Sequence, residues 1–184
     1  DGYVGTLATA TLGDTIITGG TKINASSKVE FTAAQITAAS TILAAAQDTV
    51  AQGSVTVNGN ASTTEVTVSQ TAAQAKIGTG VDGQIGITAG AVNILDANRL
   101  ITTAAGTIET VTIKNAAGVT VDSSALKPLN LERTITSVTA TSTGSKATVD
   151  TLALNLSGVD MSGVAAIDTD VKTLNVNSSK TAST

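Results

Sequence analysis

The fold is decided by residues 108–133, IETVTIKNAAGVTVDSSALKPLNLER. Three tripeptides in it share one form, an apolar β-former, a small polar residue and another apolar β-former: Val111-Thr112-Ile113, Val119-Thr120-Val121 and Leu129-Asn130-Leu131. Alternation with period two puts the outer residues of each on one face and the Thr or Asn on the other. Val111, Ile113, Val119, Val121, Leu129 and Leu131 are therefore expected to point inward, and Thr112, Thr120 and Asn130 outward. Each run is too short to bury a face alone. Each is followed by turn formers: Asn115, Gly118, then Asp122-Ser123-Ser124. Very short strands with frequent turns point to a coiled stack of β-strands.

The same form recurs outward from this stretch. Strand centres read at Val55-Thr56-Val57, Val66-Thr67-Val68, Ile85-Gly86-Ile87 and Val92-Asn93-Ile94. Further on come Leu152-Ala153-Leu154-Asn155-Leu156 and Leu174-Asn175-Val176. Steps of about 8–11 residues, some near 20, suggest rungs of roughly 20–30 residues and about five to seven rungs. Two all-β architectures fit, a parallel β-solenoid and an antiparallel β-sandwich of hairpins. Asn58-Gly59 favours a hairpin with a type I′ turn. The shortness of the strands favours the solenoid, as does Asn recurring at Asn115, Asn130, Asn155, Asn175 and Asn177. Pro128, the single proline, lacks an N–H and belongs at a strand start or turn.

Before residue 53 the pattern is looser. Short strands read at residues 4–8, 15–18 and 29–31, punctuated by Gly13-Asp14 and Gly19-Gly20. Thr32 and Gln35 have capping-box spacing ahead of an Ala-rich run, with Ile36, Leu43 and Val50 seven apart and Gly53 just beyond. The spacing predicts one helix over about 33–48. The expected division is residues 1–52, strands plus a helix covering the stack, and residues 53–184, the repeat solenoid. The chain opens and closes in mid-pattern, as a fragment of a longer protein would.

Composition narrows the function. Among 184 residues there is no Cys and no His, which excludes disulfides, thiolate or imidazole metal sites and His- or Cys-based triads. Aromatics are 1% and Thr alone supplies 34 residues, so an interior built from Val, Ile, Leu, Ala and Thr must be narrow and layered. A net charge of −4 argues against nucleic acid, which needs a basic footprint. No apolar run reaches the ~18 residues of a membrane-crossing helix, and the aromatic girdles of an outer-membrane barrel are missing. The two arginines, Arg99 and Arg133, have no acidic cluster beside them, and no pair of convergent carboxylates suggests a glycosidase. The expectation is that the chain is not an enzyme. Gly78-Thr79-Gly80-Val81-Asp82-Gly83 matches G-x-G-x-x-G, but β pattern follows where a phosphate loop needs a helix. The candidate cation ligands are Asp160, Asp168 and Asp170. They supply two or three oxygens where Ca²⁺ takes about six to eight, so solvated turn aspartates are the competing reading. Asp122 is expected to be a turn residue bonding its own backbone. Asn-x-Ser sequons stand at Asn24, Asn60, Asn155 and Asn177, weak signals in a Ser-rich chain.

The segments VNGNASTTEVTVSQTAA (57–73) and VTIKNAAGVTVDSSALKPLNLER (111–133) resemble the β-strand repeats of large bacterial surface proteins exported by type I secretion. That group includes Caulobacter-type S-layer proteins and giant repeats-in-toxin adhesins. The resemblance covers roughly residues 53–184. It implies an extracellular, cell-surface structural protein that self-assembles into a layer or filament, or else the stalk of an adhesin. It implies copies of the same chain as partners, with cell-surface polysaccharide as a further candidate and no membrane insertion. It also implies calcium as the cofactor. The group binds it through nonapeptides of the form GGxGxDxUx, of which this chain has no full copy. Leu12-Gly13-Asp14-Thr15 and Thr18-Gly19-Gly20-Thr21 only echo that motif.

Overall fold

The structure is a computed structural model and describes residues 9–29, 48–71, 74–76, 84–144, 148–159, 163, 165–168 and 170–179. The expected helix lies outside them except for its last residue, Asp48, which begins a strand. Also outside are the expected strand at 4–8, most of that at 29–31, and the G-x-G-x-x-G segment. The described residues are all-β, with no helix.

In chain order the strands are β1 (Thr9–Thr11), β2 (Thr15–Thr18), β3 (Lys22–Ser27), β4 (Asp48–Ala51), β5 (Val55–Asn58), β6 (Glu65–Gln70), β7 (Gln74–Lys76) and β8 (Gln84–Thr88). They continue as β9 (Val92–Leu95), β10 (Thr110–Ala116), β11 (Val119–Asp122), β12 (Pro128–Ile135), β13 (Val138–Thr141), β14 (Thr151–Ser157), β15 (Ala165–Asp168) and β16 (Thr173–Ser179). Sheet I has six strands in the order β3-β6-β10-β12-β14-β16. Sheet II has six in the order β2-β5-β9-β11-β13-β15. Sheet III is smaller, β1-β4-β8-β7. In sheets I and II sequence order is spatial order, and every pairing is parallel. The one antiparallel pair among the described residues is β7–β8.

This pairing is what a solenoid-like fold requires, and it rules out the antiparallel sandwich. Asn58-Gly59 makes no hairpin. β5 leaves sheet II there and the chain runs on to β6 in sheet I. Gly59 is present for space instead, since a Cβ would meet Ile108 Cδ1 at 3.0 Å. Both large sheets also cross residue 52, because β2 and β3 are their first strands.

Register makes the core. In sheet I, Ile23, Val66, Val111, Leu129, Leu154 and Val176 stand in one column, and Ala25, Val68, Ile113, Leu131, Leu156 and Ser178 in the next inward one. In sheet II, Val55, Val92, Val119 and Val138 form one column and Val57, Ile94, Val121 and Ala140 another. Apart from Val176 and Ser178 on β16, these side chains share a single cluster between the two sheets. All six residues expected to point inward are buried, while Thr112, Thr120 and Asn130 are half-buried. Each buried Val, Leu or Ile contributes about 1.5–3 kcal/mol. Ions act only at the margin. Lys22–Glu65, Lys127–Glu109 and Lys172–Asp150 close at 2.8 Å across neighbouring strands, but all are well exposed, a setting worth at most about 1 kcal/mol.

Where the chain enters sheet II, successive rungs touch backbone to backbone. A Cβ on Gly53 would lie 2.3 Å from Gly13 O, and one on Gly90 2.1 Å from Gly53 O. The column ends where Ala117 N donates to Gly90 O at 3.0 Å. Only glycine fits such an approach, so Gly53 is a stacking residue and not a helix stop.

Ile113→Ala is expected to cost about 2–5 kcal/mol in urea denaturation, and Thr112→Ala far less. Gly90→Ala should cost about 3 kcal/mol, at the upper end for overpacking because the obstacle is backbone. A Gly90→Ala melting curve matching the parent would refute the contact.

Candidate functional site

The three candidate cation ligands do not form a described cluster. Asp160 lies outside the described residues. Asp168 ends β15 beside Thr141. Asp170 is exposed with φ at 53°, a left-handed conformation that Asp adopts more readily than most residues. Among the described residues no group of three acidic side chains is placed to hold a metal.

The carboxylates with structural work are elsewhere. Asp96, fully buried, follows β9 directly. Its Oδ1 accepts from Asn98 N at 2.8 Å, and its Oδ2 from Thr107 N at 2.7 Å and Ile108 N at 2.8 Å. The Ser123 hydroxyl lies 2.9 Å from both Asp96 Oδ2 and Ile108 O. One carboxylate thus closes the long excursion between β9 and β10 and delivers Ile108, itself 0% exposed, into the core. Asp122 bonds not its own backbone but the next rung. Its Oδ1 accepts from Thr143 N at 3.0 Å and its Oδ2 from Thr143 Oγ1 at 2.8 Å. Nothing in the period-two pattern marks Asp96. Its cue is local, the D-x-N spacing with Asn98 that an Asx turn favours.

The outer face of sheet I carries a polar column: Asn24, Thr67, Thr112, Asn130, Asn155 and Asn177. Asn130 Nδ2 donates to Thr112 Oγ1 at 3.1 Å, Asn155 Nδ2 to Asn130 Oδ1 at 2.7 Å, and Asn177 Nδ2 to Asn155 Oδ1 at 2.8 Å. Every donor reaches toward the earlier rung. Two of the four sequon asparagines, Asn155 and Asn177, have their side-chain amides engaged in this way.

The column ends on β16. All seven β16 residues are exposed, and the strand carries no charge. Leu174 is 42% and Val176 56% exposed, whereas the residues they stack on, Leu152 and Leu154, are 0% and 4%. β16 pairs with β14 on one side and with no described strand on the other. At the opposite end of the column Ile23 is 6% exposed. Within sheet I the two edge strands therefore differ: β3 keeps Ile23 covered, and β16 leaves its core positions exposed.

No family model matches the chain, and no curated protein matches it either.

Removing the Asp96 carboxylate should strand buried N–H groups at about 1–3 kcal/mol each. Asp96→Ala is expected to destabilise by about 3 kcal/mol or more on that reckoning, and to expose the amides of residues 107 and 108 in hydrogen exchange. Unchanged protection at those two amides would refute the assignment.

Proposed function

We propose that the two large sheets wind as a parallel β-solenoid and that this solenoid is an extracellular structural element of a bacterial surface, built to assemble with copies of itself. The observation that carries the reading is the β16 edge. It holds two unfilled core positions, Leu174 and Val176, with a row of backbone donors and acceptors lacking a described partner. Natural edge strands are usually protected by Lys, Pro or a bulge, and TLNVNSS contains none of these. Of the two lysines that flank it in sequence, Lys172 is paired with Asp150 and Lys180 lies outside the described residues.

Composition supports the same reading. Charged residues are 13% of the chain, against about 25% in ordinary domains, so repulsion between copies is low. A structural role also agrees with a buried polar inventory spent on holding corners together, as Asp96 and Asp122 do. Calcium binding and surface export rest on the resemblance alone and belong to this proposal as its less direct parts.

Sedimentation velocity over a micromolar concentration series, with and without Ca²⁺, tests the reading. The expected result is concentration-dependent association of the parent chain. Val176→Lys should leave it monomeric, because the new ammonium occupies the open core position. A strict monomer at every concentration, with and without Ca²⁺, overturns self-assembly in favour of a spacer that projects a binding module.

A further inference from the structure

A second feature lies on sheet I, at the C-terminal ends of its early strands. β10 and β12 pair in register from Val111↔Leu129 to Lys114↔Glu132, then slip, so that Ala116 faces Ile135. One extra residue therefore sits in β12, within the pair Arg133-Thr134 opposite Asn115. Asn115 and Arg133 are both left-handed, at φ 59° and 63°. Asn tolerates that region; Arg is seldom found there, and a bulge that places it re-aims the side chain.

Arg133 and Lys114 line an open groove of about 380 Å³ together with Ser26, Ser69 and Thr71. Neither cation has an ion pair or a side-chain hydrogen bond among the described interactions. The other cations with described side chains are engaged. Lys22, Lys127 and Lys172 form ion pairs, Arg99 donates to Asp96 O, and Lys28, at the groove's rim, has an interaction within the chain. The one described acid beside the groove is Glu132, next to Lys114 in register. A chain of net charge −4 thus holds, on adjacent strands, two cations without an ion pair among the described residues, one of them in an uncommon backbone conformation.

We propose that this groove binds the carboxylate of an acidic saccharide. The planar guanidinium of Arg133 matches a carboxylate in bidentate fashion, and Lys114 adds a point charge from the neighbouring strand. Ser26 and Ser69 stand in one register column with Lys114, a column that runs on to Glu132, so hydroxyls approach the cations from the β3 side. A row of hydroxyls leading to paired cations suits a sugar acid, whose ring offers hydroxyls beside one carboxylate. The groove is open and on one outer edge, so a longer chain can enter and leave at its ends.

The test is calorimetric titration of the whole chain with trigalacturonate, with galactotriose and inorganic phosphate as comparison ligands. The expected result is saturable trigalacturonate binding that weakens with added salt, with no binding of the neutral trisaccharide. Arg133→Gly keeps the left-handed backbone at no steric cost, so its melting temperature should not fall. Its affinity should drop about tenfold or more, as loss of a charge-assisted pair implies. Lys114→Gln should weaken binding as well. The proposal is overturned by absence of saturation up to about 10 mM ligand, by equal affinity for galactotriose, by phosphate binding as tightly, or by an Arg133→Gly variant that binds like the parent.

Discussion

Parallel pairing in register is the constraint on which the rest of the molecule depends. Strands in such a stack lie about 4.8 Å apart, so every side chain sits directly over its counterpart in the next rung. A column must then be filled by residues that pack on their own kind. Val over Val and Leu over Ile do so, with stiff side chains that lose little on ordering. Aromatic residues are unnecessary in a gap this narrow, which accounts for a core built from Val66, Val111, Leu129 and their neighbours. Where backbones themselves come into contact, the column must be glycine, as at Gly53 and Gly90. Where a polar residue faces outward, asparagine fits best, because one amide both donates and accepts along the stack.

The same constraint explains why the corners absorb so much variation. Successive strands of sheet II begin at Thr15, Val55, Val92, Val119, Val138 and Ala165, so the chain between them varies widely in length. Strand pairing fixes the rungs, and each excursion needs only its two ends held. Asp96 holds one by gathering the N–H groups of Asn98, Thr107 and Ile108. Buried Gln70 does similar work at another corner. Its Nε2 donates to Gly90 O at 3.0 Å, and its Oε1 accepts from Gly90 N at 2.9 Å. Polar burial is favourable here because each buried atom finds a partner.

Legibility in the sequence follows the same division. The strand centres from Val55 to Val176 and the inward set around Ile113 can be read directly, since period-two alternation and the solvent-facing Thr and Asn are properties of each short segment. Pro128 at the head of β12 follows from its missing N–H. Strands with weak alternation cannot be read this way. KINASS of β3, VTAT of β13 and AAID of β15 owe their state to the neighbours they pair with. Long-range geometry is hidden for the same reason. Asn58-Gly59 has the chemistry of a hairpin turn, but the β-strand it would fold back onto is not its partner. Gly53 and Gly90 look like punctuation until the rungs are superposed. The groove at Arg133 depends on a one-residue slip between β10 and β12, which the residues around Leu131 and Ile135 do not reveal in isolation.

An in-register stack has no internal reason to stop. Each rung offers the next one the same columns and the same row of backbone groups, so the end of such a fold must be made by chemistry that breaks the columns. At the β3 end, Ile23 is covered although it stands last in its column. At the β16 end the inward column gives way to Ser178, but Leu174 and Val176 remain in core positions with no described strand above them. The donor direction of the asparagine column sharpens the asymmetry. Asn177 gives its Nδ2 hydrogen to Asn155, which leaves its own Oδ1 without a donor among the described residues. A strand arriving at this edge would fill two apolar positions, complete the backbone row and supply that donor in one step. All three deficits follow from β16 having no described strand beyond it, and together they are what the proposed self-assembly would repair.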